Sequence, residues 1–472
     1  MLVAALAGTL LVALAGWLAL LGWTAVGTLN PPLFLLANLV LFTDCFDFLL
    51  RLYFFQQHTL CKVTREVSPT SVPLHVGSFE PAEMKRRLRP YAVLVSVHNP
   101  SPRELQGFLE GMRPYRDRLW VIDDASTDDT WERLQRARIQ AVRASRNRHK
   151  PGALRELLAI LPPEIETIVV LDPDARILDG GGPISDLERV LFDFQCSGMA
   201  AMCPRLVLRE GTWLERLQGF EYGMSFGLGR RSLADHCITS GLSVYRRDAL
   251  ASTLSRHTLS IYAEDLKNAC LLLSQGERIY YDGRLVIETE GKRTWRGWFS
   301  QRVGWFYGLM KVYCEHAGDA IRGAARRGAE GRFAYLYHFV VYMGLFLLVL
   351  HPLRVASAVL LALSAANGLD WLAGLHCIPD VPATDPAYFP LVYVKYLGLC
   401  TVAMMVTAVS RQRWRLLTVI PVYFLYVLAQ VVPITVGYLN WFTLRLLGRR
   451  LYRDHFQAEE SVRRELLEGR AR

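Results

Sequence analysis

Apolar residues are distributed along this chain in two regimes. Residues 1–43 contain no Asp, Glu, Lys or Arg, and TLNPP at 28–32 divides that stretch into runs over 2–27 and 31–53. Each run is long enough to cross a bilayer as a helix. A cleaved signal peptide is the alternative, but no basic leader precedes the first run and a second apolar run follows directly. Long apolar runs return at 333–350, 355–374, 388–410 and 416–440, which gives six predicted spans.

Between these runs the pattern shortens and alternates. YAVLVSV (91–97), LWVID (119–123) and TIVVLD (167–172) read as buried strands. SPRELQGFLEGM (101–112), STDDTWERLQRAR (126–138) and KPGALRELLAIL (150–161) read as helices, the first two opened by Ser101 and Ser126 and the third by Pro151 near its start. Strand and helix in alternation predict an α/β domain with a mostly parallel sheet, helices on both faces and ligands at the carboxyl ends of the strands.

The resulting layout is two spans in 1–55, a linker over 56–89, an α/β domain over 90–294, amphipathic interfacial helices over 295–332, four spans in 333–448 and a charged tail over 449–472. Composition agrees: 51% of the 472 residues are hydrophobic, concentrated in blocks. The basic cluster Arg51, Lys62, Arg65, Lys85, Arg86, Arg87 and Arg89 follows the second span and sets the insert on the cytoplasmic side of an inner or plasma membrane. Later loops fit less well, since an even count puts RQRWR (411–415) outside and the acidic IPDVPATDP (378–386) inside. The net charge of +10 is densest at 321–332, beside a predicted span, which suits anionic lipid headgroups better than nucleic acid. Nine scattered cysteines without a CxxC pair indicate a reduced compartment and no zinc site.

The chemistry begins with VVLDPDAR (169–176). Pro173 cannot donate to a sheet ladder, so pairing stops and Asp172 and Asp174 emerge at the strand's carboxyl end. Two hard oxygen donors there suit Mg2+ or Mn2+ shared with substrate phosphates; taken alone, a solvated loop explains them as well. Asp123 and Asp124 end another strand, where a carboxylate could accept hydrogen bonds from a base or ribose, or serve as a helix N-cap cluster. Lys150 lies at a helix start, a favourable place for phosphate. Glu264 and Asp265 head the helix in YAEDLKNACLLL (262–273), where acids in a first turn are common in any case. TWRGWFSQRVGWFYGLM (294–310) puts Trp298, Arg302 and Trp305 on one helical face, either flat on the membrane interface or at the mouth of a path for sugars.

Taken in order, VIDDASTDDT, HKPGAL, LDPDA, SGLSVYRRDAL, AED and QRVGW, flanked by spans, resemble the membrane-embedded family 2 glycosyltransferases, which include the cellulose, chitin and hyaluronan synthases. The resemblance covers residues 90–310 by motif and the remainder by span layout. It implies a GT-A-type, Rossmann-like fold that binds a nucleotide-diphosphate sugar, such as a UDP-sugar, and a glycan acceptor, with membrane lipids around it and accessory secretion subunits or a second copy as further partners. Asp123 and Asp124 would contact base and ribose, Lys150 the diphosphate, and Asp172 and Asp174 the donor and its Mg2+ or Mn2+. Asp265 would be the general base with Glu264 beside it, and Ser240, Gly241, Gln301, Trp298 and Trp305 would face the acceptor. The family's Q-x-x-R-W arginine is Gly304 here, so Arg302, Lys292 or Arg293 is expected to supply the cation, and Gly304→Arg is expected to leave activity equal or higher.

Three functions fit this reading. The leading one is an inverting, processive polysaccharide synthase that moves its product through its own spans. The others are single transfer to a membrane lipid, such as ceramide or a polyprenyl phosphate, and a non-catalytic scaffold.

Overall fold

A computed structural model describes residues 79–209, 211–230, 237–257, 262–325 and 414–452. The predicted spans at 2–27, 31–53, 333–350, 355–374 and 388–410 lie outside the described residues, as do most of the linker and the tail.

A short helix, α1 (Pro81–Arg87), leads into β1 (Tyr91–Val97). Helix α2 (Pro102–Gly111) follows; Ser101 Oγ accepts from the Glu104 N–H while Glu104 accepts from the Ser101 N–H, a reciprocal cap that fixes where the helix starts. Then come β2 (Leu119–Asp123), α3 (Thr130–Arg136), β3 (Gln140–Arg143), α4 (His149–Ile160), β4 (Thr167–Leu171) and β5 (Arg176–Leu178). Helix α5 (Asp186–Ser197) ends on Gly198 at φ 68°, a left-handed stop that suits glycine. Strand β6 (Ala201–Leu208), α6 (Trp213–Tyr222), β7 (Ser243–Arg246), α7 (Arg247–Ser255), α8 (Glu264–Ser274) and β8 (Ile279–Thr289) complete the α/β domain. Among the described residues, two long helices remain, α9 (Trp295–Ala325) and α10 (Ile420–Leu447).

The eight strands form one sheet in the order β3-β2-β1-β4-β7-β6-β8-β5. Its first four strands are parallel, as the alternation predicts. The other half departs from that prediction: β7 runs antiparallel between β4 and β6, and β5 runs antiparallel to β8. Reversing β7 has a consequence for function. Val170 of β4 pairs with Ser243, so the segment entering β7 meets the carboxyl end of β4. Strands β6 and β8 are parallel to each other and point the same way as β4, so Thr289 ends at this same edge.

Strands β1, β2 and β4 are buried almost throughout, which accounts for their continuous runs of Val, Ile and Leu. Helix α3 begins at Thr130 rather than near Ser126. The intervening turn is tied down instead: Ser126 donates its N–H to Asp123 Oδ1 at 2.9 Å, and its Oγ accepts from the Asn99 N–H at 3.0 Å.

Within the expected interfacial segment, 295–332, residues Trp295–Ala325 form one helix, α9, of 31 residues, and 326–332 lie outside the described residues. Helix α9 packs along α10, where Gly437 allows the backbones to close: a Cβ there would lie 2.8 Å from the Val303 carbonyl oxygen. With 28 residues and an 18-residue stretch of mean hydropathy 1.8, α10 is, among the described residues, the one helix long and apolar enough to cross a membrane. It covers most of the predicted run at 416–440.

Candidate functional site

Three side chains and one backbone carbonyl, from four elements, meet at one point at the carboxyl edge of the sheet. Lys150, in the first turn of α4, donates from Nζ to Asp172 Oδ1 at 2.5 Å and to the Gly241 carbonyl at 2.8 Å. Glu264 Oε1, at the head of α8, lies 3.6 Å from the same ammonium. Asp172 is the first residue after β4, and Gly241 lies in the segment entering β7. Gly241 fits because it lacks a side chain: a Cβ there would stand 3.2 Å from both Asp172 Oδ2 and Lys150 Nζ.

These charges control each other. Burial raises the Glu264 carboxyl to about 7, partly offset by the Lys150 cation. Asp265, next in the chain, is also raised by burial, against the opposing charge of Arg230. Asp174 is pushed up to about 6 by burial and by the Asp172 charge, although Thr289 Oγ1 donates to its Oδ2 at 2.9 Å. Asp174 also borders a cleft of about 320 Å³ whose walls include Arg103, Gly107, Arg176 and Arg209. No cluster of three or more His, Cys, Asp or Glu able to hold a metal occurs among the described residues. Asp172 and Asp174 each keep one carboxylate oxygen clear of the Lys150 and Thr289 hydrogen bonds, and these are the hard donors that could hold a divalent cation.

The backbone around this edge is constrained. Ala125, His149 and Ala263 have φ of 57°, 57° and 60°, and each adjoins an element that carries a candidate residue. Non-glycine residues in the left-handed region are uncommon and concentrate at functional sites.

Several expected residues face elsewhere. Asp123 is fully buried, accepting the Ser126 N–H with Arg143 Nε 3.2 Å from its other oxygen. Asp124 accepts the Arg148 N–H at 2.7 Å, so it ties the β2 loop to the start of α4. Ser240 is buried and its Oγ donates to the Leu242 carbonyl at 2.6 Å; it shapes the loop, and its neighbour Gly241 fronts the cluster.

The α9 residues need more correction. Trp298 is 3% exposed and donates from Nε1 to the Tyr426 hydroxyl at 2.8 Å, so its ring is unavailable to an acceptor. Arg302, expected near the diphosphate, is completely buried and donates to Glu221 Oε2 at 2.6 Å and to Gln301 Oε1 at 2.9 Å. Arg293 lies 3.2 Å from Glu215. Trp305 does reach the surface at 37% exposure, with the Arg302 guanidinium 4.1 Å from its ring centre. At Gly304 a Cβ would lie 2.2 Å from Tyr262 Cε1, so the ring just before the Glu264–Asp265 pair occupies the space an arginine would need. Gly304→Arg therefore cannot be neutral.

Sequence reasoning missed Tyr222, which ends α6 with its ring 6.3 Å from that of Trp305. Burial raises its hydroxyl well above the usual range, and it lies within the fields of Arg302, Asp174 and Asp265. The only signal in FEYGMSF was an aromatic cluster, which reads as core. Thr289, Glu221 and Tyr426 were also missed, because nothing in the sequence tells which strand end or helix would face them.

Residues 92–253 match the family model described as Glycosyl transferase family 2. Comparison with curated proteins gives no match. Among solved structures, a mannosyltransferase from Pyrobaculum calidifontis in complex with GDP-Man and Mn2+ is 17% identical, with a TM-score of 0.42 over 77% of this chain and 99% of that one. Glucosyl-3-phosphoglycerate synthase from Mycobacterium tuberculosis is 17% identical, with a TM-score of 0.33 over 50% of this chain and 85% of that one. GalNAc-T7 with UDP, GalNAc and Mn2+ is 12% identical, with a TM-score of 0.31 over 50% of this chain and 52% of that one. By the family model, residues 92–253 carry a family 2 glycosyltransferase domain, and they lie on the mixed α/β sheet described above.

Proposed function

We propose that the protein transfers a sugar from a nucleotide-diphosphate sugar, with inversion, to the growing end of a β-linked glycan at the membrane. One observation carries this reading: Lys150, Asp172, Gly241 and Glu264 converge within 4 Å from four separate elements, with Asp265 next in the chain.

A sugar hydroxyl attacks only when its proton is taken up, and Asp265 is the group we assign to take it. Glu264 and Lys150 tune the charge beside it. Asp172 and Asp174 would hold Mg2+ or Mn2+, whose charge offsets that of the departing nucleoside diphosphate. One base opposite one leaving group gives a single displacement. Lys150, which forms an ion pair with Asp172, turns to the diphosphate when the donor binds. Trp305 offers a ring face to the acceptor sugar, with Tyr222 beside it.

Processive synthesis at the plasma or inner membrane is the finer reading, supported by the apolar α10 packed against the helix that carries Trp305. That same packing favours a second reading, single transfer to a lipid acceptor. Both are tested by sugar transfer from a panel of labelled nucleotide sugars with Mn2+ or Mg2+, followed by product sizing. A long polymer supports the first reading, and one labelled sugar extracted with lipid supports the second. Asp265→Asn should abolish transfer while nucleotide binding persists; transfer that survives removes Asp265 from the role of base.

A further inference from the structure

A polar network lies beneath Trp305, with Arg302, Tyr426 and Trp298 buried and Glu221 partly exposed, and it has no role in the transfer step. One oxygen, Glu221 Oε2, accepts from Arg302 at 2.6 Å and from the Tyr426 hydroxyl at 2.6 Å. The Tyr426 oxygen in turn accepts from Trp298 Nε1 at 2.8 Å. Three helices meet there: α6 supplies Glu221, α9 supplies Trp298 and Arg302, and α10 supplies Tyr426. Apolar packing would hold three helices at least as tightly as a buried ion pair, which gains little over hydrophobic residues of similar volume. What the charged network adds is one fixed geometry for the guanidinium, and Trp305 rests on that guanidinium at 4.1 Å. The helix carrying the ring is seated against the catalytic segment too, with Gly304 and Gly308 facing Tyr262 and Ala263 just before Glu264.

We infer that Glu221, Arg302 and Tyr426 are positioning residues that hold Trp305 in place for the acceptor, so that the apolar helix α10 shapes acceptor binding through Arg302. This rests on the proposal that Trp305 faces the acceptor.

The test is steady-state transfer by the full chain, using the donor found active in the panel and a soluble oligosaccharide acceptor, with acceptor KM and donor KM measured separately. Loss of one buried hydrogen bond is worth about a fivefold change, so Tyr426→Phe should raise acceptor KM by about that factor and donor KM less than twofold. Trp298→Phe, which removes the next donor and keeps a ring, should act in the same direction and serves if Tyr426→Phe fails to fold. Trp305→Ala should raise acceptor KM further, and Tyr426→Phe should add nothing in that background, because the two act through one ring. Additive effects, or donor and acceptor KM rising together, would mean the network is only structural and would overturn the inference. An active Trp305→Ala effect with Tyr426→Phe and Trp298→Phe silent sinks the brace alone, whereas an unchanged acceptor KM in Trp305→Ala retires the acceptor role of Trp305 itself.

Discussion

Lys150 Nζ donates to Asp172 Oδ1 at 2.5 Å and to the Gly241 carbonyl at 2.8 Å, fastening the start of α4 to the end of β4 and to the entrance of β7. Burial alone would lower this ammonium, but the charges of Asp172, Glu264 and Asp265 outweigh it and hold Lys150 above its ordinary range. Removing the cation leaves those carboxylates facing one another, and Glu264, already at about 7, must rise further. Lys150→Met should therefore cost transfer on the order of 100-fold at neutral pH. The ascending limb of its pH–rate profile should move up by about one unit. A profile that keeps its position would show that Lys150 does not govern these carboxylates.

Asp174 must be ionised to bind a cation, and its carboxyl is raised to about 6 by burial and by Asp172. Apparent Mn2+ affinity, measured by calorimetric titration in the presence of UDP, should be nearly flat above pH 7. Below about pH 6 it should fall toward tenfold per unit as protons compete. Thr289→Val removes the hydrogen bond that favours the ionised form and should move the break to higher pH. A break that stays put would separate Thr289 from metal binding.

Glu264 also makes a prediction for stability. Its carboxyl goes from its ordinary value of 4.5 to about 7 on folding, so between those values the folded state binds more protons than the unfolded one. Stability then falls as pH rises through that window. Glu264→Gln, which is neutral throughout, should flatten this part of the curve. Thermal melting of wild type and variant between pH 4.5 and 7.5, without added cation, checks the sign.

The strand ends were legible because a buried parallel strand writes its β-branched run into the sequence and Pro173 marks where the ladder stops. Asp172 and Asp174 could thus be placed at a strand's carboxyl end from the letters alone, whereas Lys150, Glu264 and Asp265 joined them only through the family resemblance. Gly241 could be nominated but not explained, since its value depends on β7 running antiparallel, and a four-residue strand carries no direction in its composition. Arg302 was misread for a different reason. A helical face can be computed from spacing, but which neighbour covers it depends on α6 and α10, and Glu221 is 81 residues away in the chain. The left-handed turns at Ala125, His149 and Ala263 carry no glycine signal at all.

Gly304 stands in for an arginine only in an alignment of letters. Tyr262 Cε1 would be 2.2 Å from a Cβ at that position, and Cζ 2.4 Å. Gly304→Ala should destabilise the protein by about 1–3 kcal/mol through overpacking. Gly304→Arg should destabilise it more and lower transfer at least about tenfold, because the displaced ring precedes Glu264 by two residues. Tyr262→Ala placed in the Gly304→Ala background should recover most of the lost melting temperature, and failure to recover it would point to a clash elsewhere on α9.

Gly241→Ala separates the chemistry from the fold. Its added methyl would meet only the ends of side chains, Asp172 Oδ2 and Lys150 Nζ at 3.2 Å each and Glu264 Oε1 at 3.9 Å. Such ends can give way by a few tenths of an ångström, so melting should shift by less than about 1 kcal/mol equivalent. Parting the ammonium from the carboxylate, however, disturbs the groups assigned to the donor. Transfer should fall about 3- to 10-fold, with donor KM rising, since a misplacement of about 1 Å can cost on the order of 100-fold and this one is a few tenths of that. Measured together, melting and donor KM decide the matter: a large loss of stability would make Gly241 a folding residue, and an unchanged donor KM would remove the Lys150 and Asp172 cluster from the donor site.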